Sequence, residues 1–326
     1  MQKTVRKILR VVADYDPDYY DMYADANEAF FAQLYVQHIT EHAASAGIHP
    51  PAIEPGAPHS QRGVARKCRS MLMLRPTEPG APRTFGFALA KPNETTGVGD
   101  GSAGVGGRLR PTLLEAGCQA GRLVVPFAKL GFHVTGIDTS RYALRRAREH
   151  AKAAGVDATF VRGDLLEVLR DRAHRQYDIV VCAEVVYLSR QYRQMLQALA
   201  GALRPGGLLC VSHRPKFYYL FEALRRYDLR TATEVLSRSE GPFLDSAYYN
   251  WQTEEELRSL YSELGVRWVA MHPIDRLAWL SGMSPARLTQ AQREEWLKLE
   301  LSSSSQTGTC ARYVLVVAER PTSKGQ

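Results

Sequence analysis

The chain has 326 residues, of which 45% are hydrophobic, and a formal net charge of +8. This size allows one large α/β domain with additions, or two small domains. There is no run of about 18 apolar residues, so we expect no membrane span. The basic start lacks the apolar core of a secretory signal, which leaves an organelle-targeting peptide as the alternative. The five cysteines form no CxxC pair, so we expect free thiols in a reducing cytoplasm and no metal centre.

The basic charge is concentrated in one segment. Residues 55–110 hold nine of the 42 Lys/Arg and three of the 34 Asp/Glu, so this segment carries +6 of the net +8. The rest of the chain is close to neutral. This distribution argues against an extended nucleic-acid surface on the main domain.

Residues 1–49 are interpreted as an N-terminal helical lid. Within them, residues 17–46 are predicted to be mainly helical, because apolar side chains recur at helical spacing through Phe30, Leu34 and Ile39. Four tyrosines crowd the start of this segment: Tyr15, Tyr19, Tyr20 and Tyr23. They either pack the helix onto the core or form the edge of a lid over a ligand.

Residues 50–111 form a basic insertion rich in proline and glycine. We expect it to be largely disordered, with one short ordered piece near residues 64–74. It contains a formal GxGxxG motif at residues 99–104. A dinucleotide-binding loop needs a strand before this motif and a helix after it, and neither is predicted here. We therefore interpret the motif as flexible linker.

Residues 112–320 alternate regularly between strands and helices. The first five predicted strands are TLLEAG, HVTGID, TFVRGD, YDIVVCAEV and LLCVSH. The helices between them are predicted over RLVVPFAKLG, SRYALRRAREHAKAAG and SRQYRQMLQALAGALRPGG, with Ser140 as the N-cap of the second. Short connections and continuous apolar strands predict a doubly wound, mostly parallel α/β sheet with helices on both faces.

Two more strands, VRWVAM and CARYVLVVAE, bring the predicted sheet to seven strands, and a helix is predicted over WQTEEELRSLYSELG. Residues 214–250 and 272–309 are interpreted as cap segments at the carboxyl ends of strands, the second with a helix near ARLTQAQREEWLKLE, and residues 321–326 as a tail. The caps hold aromatic residues beside Arg225 and Arg226. They predict an aromatic pocket for a small molecule.

The turn after the first strand has the features of a ligand-binding loop. In LLEAGCQAGRL, Gly117 permits a tight turn and Gly121 permits close approach of the next helix to the sheet. Ligands of doubly wound sheets bind at this edge, outside the carboxyl ends of the strands. Gln119 stands where glycine-rich loops usually have a third glycine, so its side chain must point away from a ligand or replace a water.

Three acidic residues follow three successive predicted strands. Asp138 ends the second strand, where a carboxylate can accept both hydroxyls of a ribose. Asp164 ends the third strand, where it could accept a hydrogen bond from an adenine amino group while Leu165 packs on the ring. Glu184 follows the fourth strand at the same edge. Asp138 could instead only cap the next helix, and each of the three could be a solvated loop residue, but together they predict a nucleoside site.

These motifs resemble one family. EAGCQAG, GIDTS, RGDLLE, YDIVVCAEVVY and LRPGGLLCVSH, in this order and spacing, are similar to the class I S-adenosylmethionine-dependent methyltransferases. The resemblance implies that the seventh strand is antiparallel and that S-adenosyl-L-methionine is the cofactor. It implies that the cofactor-binding residues are Glu115, Ala116, Gly117, Gln119, Gly121, Asp138, Thr139, Asp164, Leu165 and Glu184.

The resemblance implies methyl transfer by in-line displacement, with the enzyme contributing mostly positioning. The aromatic pocket predicted from the caps indicates a small-molecule acceptor. A base is needed only if the acceptor must lose a proton. Tyr187 and His213 follow the fourth and fifth strands and are the candidate catalytic residues, with wall or packing roles as the alternative. Two other functions stay open. One is an RNA methyltransferase that uses HRPKFYY and EALRRYDLR as a basic and aromatic surface. The other is an inactive cofactor-binding scaffold.

Overall fold

The computed structural model describes residues 23, 25–50, 110–171, 176–244, 247–302 and 310–322. The predictions for Tyr15, Tyr19 and Tyr20, for residues 51–109 with their GxGxxG motif, and for most of the tail lie outside these ranges. In the described part of the chain, no helix is long and apolar enough to cross a membrane.

Ten α-helices and nine strands occur in the described residues. The helices are α1 (Ala26–Ser45), α2 (Val124–Lys129), α3 (Arg141–Ala153), α4 (Leu165–Asp171), α5 (Tyr192–Gly201), α6 (Lys216–Leu224), α7 (Leu229–Ser237), α8 (Glu254–Glu263), α9 (Leu277–Ser281) and α10 (Gln290–Ser302). The strands are β1 (Thr112–Ala116), β2 (His133–Asp138), β3 (Ala158–Arg162), β4 (Tyr177–Cys182), β5 (Leu203–His213), β6 (Glu240–Phe243), β7 (Ala247–Asn250), β8 (Arg267–Ile274) and β9 (Tyr313–Glu319).

Seven strands form one sheet in the order β3-β2-β1-β4-β5-β9-β8. Strands β1 to β5 run parallel to one another, whereas β9 lies antiparallel between β5 and β8. The strand order reverses between β1 and β4, which is where ligands of such sheets bind. This topology confirms the predicted doubly wound α/β fold with an antiparallel seventh strand.

The central strands are apolar on both faces because helices cover both sides. In β4, Ile179 and Val181 belong to one buried cluster, and Val180 and Cys182 belong to the other. Successive side chains of a strand point to opposite faces, so a strand buried on both sides shows an unbroken apolar run. Charged side chains of these strands are therefore found mainly at the strand ends.

Helix α1 packs its apolar side against the sheet. The Asp25 carboxylate caps the helix by accepting hydrogen bonds from the backbone N–H groups of Asn27 and Glu28 at 2.8 and 3.0 Å. Buried Phe30, Leu34 and Ile39 are the residues whose spacing predicted the helix. The described helix starts at Ala26, later than predicted.

The first cap segment contains structure that its sequence pattern did not predict. Residues 214–250 include helices α6 and α7 and the two-stranded antiparallel sheet of β6 and β7. Tyr219 of α6 and Trp251, which directly follows β7, are buried with their ring centroids 5.0 Å apart. Burial leaves both rings no surface for a ligand, so neither can line the aromatic pocket predicted from the aromatic residues of this region.

Candidate functional site

The loop between β1 and α2 folds back over the carboxyl edge of the sheet. The Gly117 and Cys118 N–H groups both donate to the carbonyl of Ile137 at the end of β2, at 2.8 and 2.9 Å. Gly117 has a φ of +78°, a conformation that L side chains rarely adopt. A Cβ atom on Gly117 would lie 2.3 Å from Cγ2 of Val185, so the loop and the end of β4 approach closely only because this residue is glycine.

Gly117→Ala is therefore expected to destabilise the fold by about 2–4 kcal/mol, from the left-handed backbone and the overlap with Val185. Urea unfolding measures this loss. Gly155→Ala is the matched control, because Gly155 has a φ of +68° but no atom within 4 Å of its added Cβ. In a Val185→Ala background the overlap is absent. There, Gly117→Ala should lower the free energy of unfolding by no more than Gly155→Ala does. An equal cost for the two alanine variants would contradict the proposed close approach.

Gln119 adopts the backbone conformation that favours glycine. Its φ is 45°, and its backbone N–H donates to Oδ2 of Asp138 at 2.9 Å. A non-glycine residue in this region carries a strain of about 1–3 kcal/mol. The buried Oε1 of Gln119 has no hydrogen-bond partner in the described residues. The loop thus keeps the shape of a glycine-rich turn despite the substitution.

Asp138 organises the same edge. Its Oδ2 accepts the Gln119 N–H, and its Oδ1 accepts the Ser140 N–H at 2.8 Å. Burial raises the pKa of Asp138, while these backbone hydrogen bonds act to lower it. Each carboxylate oxygen has two acceptor positions, so the half-buried side chain can accept a further donor on each oxygen.

The next strand end is more exposed. The Oδ1 of Asp164 accepts the Leu166 N–H at 2.9 Å and so caps α4, while Leu165 is buried against the sheet. Thr139 is exposed, and its carbonyl accepts a hydrogen bond from Nε of Arg162 at 3.3 Å. Asp164 thus caps α4, which was not predicted, and the described hydrogen bonds leave its Oδ2 without a protein donor.

Glu115 lies beneath the loop. Like its neighbour Ala116 it is buried, and burial raises the pKa of Glu115 to about 8, although Arg122 and a hydrogen bond from the Val124 backbone act to lower it. Its Oε2 has no partner among the described residues. A buried polar atom without a partner is uncommon in native structures. With its raised pKa this carboxyl is largely protonated near neutral pH, so it can donate or accept one further hydrogen bond.

Glu184 is held by an arginine that the sequence analysis did not select. Arg122 donates to Oε1 of Glu184 and to Oε2 of Glu28, each at 2.7 Å, and all three side chains are largely buried. Burial acts to raise the pKa of Glu184, but the Arg122 guanidinium outweighs it and the pKa is lowered. Burial and the nearby Glu184 instead raise the pKa of Glu28 to about 7. This triad ties α1 to the loop and to β4.

Tyr187 lies beside a second arginine. The Arg214 Cζ is 4.3, 4.5 and 4.7 Å from the ring centroids of Tyr187, Tyr218 and Tyr313, a group that we call the arginine cage. Burial raises the pKa of Tyr187, while Arg214 acts to lower it. A phenol with a raised pKa is a hydrogen-bond donor near neutral pH rather than a base.

His213 is separated from this group. It is buried in the core, and its Nε2 lies 2.9 Å from the hydroxyl of Tyr261 on α8. Burial lowers the pKa of His213 to about 3. This position favours the packing role that was the alternative to catalysis.

The residues that sequence reasoning missed are Glu28, Arg122, Val185 and Arg214. Arg122 directly follows Gly121, and Arg214 directly follows the end of β5, so topology places both at the ligand edge. Their partners are distant in sequence, since Glu28 lies 94 residues before Arg122. Position at a strand end was the only available signal.

Residues 113–207 match the family model of a methyltransferase domain. The matched residues contain the strands β1 to β4 and the loop after β1 described above, so this part of the chain is similar to a methyltransferase domain.

Two curated relatives are ubiquinone biosynthesis O-methyltransferases. The one from Shewanella pealeana is 31% identical over 135 residues, which are 41% of this chain and 52% of the relative. The one from Rickettsia conorii is 30% identical over 171 residues, which are 44% of this chain and 58% of the relative. The chain thus spans about half the length of the curated relatives it matches.

One solved structure to which this chain is similar is that of magnesium protoporphyrin IX methyltransferase from Synechocystis PCC 6803 with bound SAH. It is 14% identical, with a TM-score of 0.49, and the alignment covers 98% of this chain and 94% of that chain.

Proposed function

We propose that the protein transfers a methyl group from S-adenosylmethionine to an oxygen atom of a small-molecule acceptor. The observation that carries the proposal is the Asp138 carboxylate, fixed by two backbone N–H groups beside the Gly117–Gly121 loop within the matched methyltransferase domain. The names of the curated relatives support oxygen as the acceptor atom.

The chemistry of this edge fits the cofactor. Asp138 has acceptor capacity left for two ribose hydroxyls, and Glu115 and Gln119 each have a buried oxygen without a partner in the described residues. Asp164 and Leu165 lie at the end of the next strand, where they would border the adenine. Glu184 and Arg122 lie on the other side of the loop and would face the amino-acid portion.

When bound, S-adenosylmethionine supplies an electrophilic methyl carbon. The residues of this chain would bind and orient the two reactants, which is the main contribution that such a displacement requires. Tyr187 can donate a hydrogen bond beside Glu184. The arrangement does not favour His213 as a base, because its imidazole is buried against Tyr261.

A small molecule is the better acceptor than RNA. Arg225 and Arg226, the basic residues of the alternative RNA surface, both pair with Glu222, at 3.0 and 2.7 Å. Glu222 therefore already offsets one of their two positive charges. We also propose a cytoplasmic location, because the four described cysteines are free and three are buried, which suits a reducing compartment.

Asp138→Ala is expected to weaken binding of S-adenosylhomocysteine about tenfold or more, because hydrogen bonds to a charged acceptor are lost. Calorimetric titration of the wild type and the variant with both forms of the cofactor measures this loss. Asp157→Ala is the control, since Asp157 is an exposed aspartate before β3, at the opposite edge of the sheet.

Thermal melts must show that the Asp138 variant is folded. A folded wild type that binds neither S-adenosylmethionine nor its demethylated product would overturn the proposed function. Binding without methyl transfer to any acceptor would instead favour the scaffold alternative.

A further inference from the structure

The Arg214 guanidinium of the arginine cage forms no ion pair with a described carboxylate. Glu184 is near enough to feel its charge but is bonded to Arg122. Among the described residues, Arg122 pairs with Glu28 and Glu184, and Arg312 pairs with Asp275 at 3.1 Å. No such ion pair is made by Arg214, which donates to the Tyr313 hydroxyl and whose buried Nε has no partner in this part of the chain. A half-buried guanidinium without a counter-ion is costly to hold in place.

The cage lies at the ligand edge of the sheet. Arg214 follows the end of β5, and Tyr313 begins the adjacent antiparallel strand β9, so both stand at the carboxyl edge with Glu184. Neighbouring strands are about 5 Å apart, which places the cage one to two strands beyond Glu184. That is the side of the proposed cofactor site away from Asp138.

The rings give the cage a second chemical property. Three tyrosine rings surround the guanidinium within 4.7 Å of its Cζ, and Trp279 lies 5.5 Å from Tyr218, centroid to centroid. Rings favour a flat apolar ligand, whereas an unpaired guanidinium favours an anion. One unpaired positive charge matches a singly charged group, and the guanidinium fork matches a carboxylate.

We propose that the arginine cage binds a carboxylate of the methyl acceptor, so that the acceptor is an aromatic acid. This inference rests on the proposed function and names the acceptor's chemical class. Arg214 would hold the carboxylate, and the half-buried ring of Tyr218 would border the aromatic part, while the buried rings of Tyr187 and Tyr313 hold Arg214 in place.

Benzoate and benzamide test the cage directly, because they share a ring and differ in charge. Ligand-observed NMR titrations are made with the full chain, with and without S-adenosylhomocysteine. The wild type is expected to bind benzoate more tightly than benzamide. Arg214→Met should weaken benzoate binding about tenfold or more and leave the affinity for S-adenosylhomocysteine unchanged.

Two further variants sharpen the test. Arg214→Lys keeps the positive charge but lacks the two parallel N–H donors of the guanidinium, so it should retain part of the preference for benzoate. It replaces Arg214→Met in the test if that variant does not fold. Arg225→Met is the matched control, because Arg225 also stacks on an aromatic ring but already pairs with Glu222. It should bind benzoate as the wild type does.

The outcomes separate this inference from the proposed function. Equal binding of benzoate and benzamide by the wild type, or unchanged benzoate affinity in Arg214→Met, would overturn the acidic-acceptor inference. Loss of S-adenosylhomocysteine binding in Arg214→Met would also overturn it, because the cage would then serve the cofactor. Failure of the wild type to bind S-adenosylhomocysteine while benzoate binding still depends on Arg214 would overturn only the proposed function.

Discussion

Arg122→Met is expected to lower the free energy of unfolding by about 3–5 kcal/mol at pH 8, because it leaves two buried glutamates without their cation. Arg122 is almost fully buried and donates to both Glu28 and Glu184 at 2.7 Å. Removing one partner of a buried ion pair costs more than the pair itself contributes, since the remaining charge stays desolvated. Urea unfolding at fixed pH measures the difference.

The pH dependence distinguishes this mechanism from a simple loss of packing. Without Arg122, the folded-state pKa of both glutamates should lie above the unfolded value. Such groups bind protons more tightly in the folded state, so the folded variant gains stability as the pH falls and loses it as the pH rises. The cost of Arg122→Met should therefore be smaller at pH 5 than at pH 8.

Arg258→Met is the matched control for Arg122→Met. Arg258 also bonds a glutamate at 2.7 Å and lies 4.5 Å from a tryptophan ring centroid, but it and Glu254 are exposed. Exposed pairs contribute about 0–1 kcal/mol, so this variant should unfold close to the wild type. An Arg122 variant with the same small and pH-independent effect would show that the triad is not energetically coupled.

The main sheet follows from the sequence because both sides of its strands are buried. When unbroken apolar runs such as YDIVVC alternate with helices, they indicate strands of a parallel sheet that is covered on both faces. The small sheet of β6 and β7 does not follow, because Gly241 and Pro242 occupy half of its first strand. Both residues disfavour strands, and here the pairing depends on Phe243 and Trp251 packing in the cap.

The candidate site was predictable to the extent that topology places strand ends together. Asp138 and Glu184 were found because each directly follows an apolar strand. The sequence did not predict the triad or the arginine cage, because each joins residues that come together only when the cap and α1 fold against the sheet. Gln119 shows a different limit: the sequence shows the missing glycine, but only the structure shows that this glutamine adopts a φ of 45°.

Acidification from pH 7 to pH 5 is expected to weaken the attachment of α1 through one buried and two half-buried histidines. His38 and His42 of α1 meet His272 of β8, with Nε2 of His42 and Nε2 of His272 2.8 Å apart and the rings of His38 and His272 stacked at 3.9 Å. Burial, with the neighbouring histidines, lowers the pKa of His38 to about 3 and that of His272 to about 4. Burial also lowers the pKa of His42, although the negative charge of the exposed Glu41 acts to raise it.

The direction of the effect follows from proton binding. Unfolded histidines have a pKa of about 6.5, so between pH 6.5 and 4 the unfolded chain binds more protons than the folded one. Stability contributed by the neutral imidazoles is therefore lost as the pH falls through this window. We expect a loss of roughly 2–4 kcal/mol between pH 7 and pH 5 from this cluster. Glu28 and Asp275, whose pKa values are raised to about 7, act in the opposite direction, so the comparison must be made between variants.

His38→Phe isolates the contribution of the cluster. Phenylalanine keeps a ring against His272 but cannot be protonated, and the Nδ1 of His38 has no hydrogen-bond partner to lose among the described residues. Urea unfolding at pH 5, 6 and 7 should show that the variant loses about half as much stability on acidification as the wild type. His133→Phe, at an exposed position at the start of β2, should retain the full dependence. If His38→Phe is as acid-sensitive as the wild type, then the attachment of α1 does not depend on these imidazoles remaining neutral.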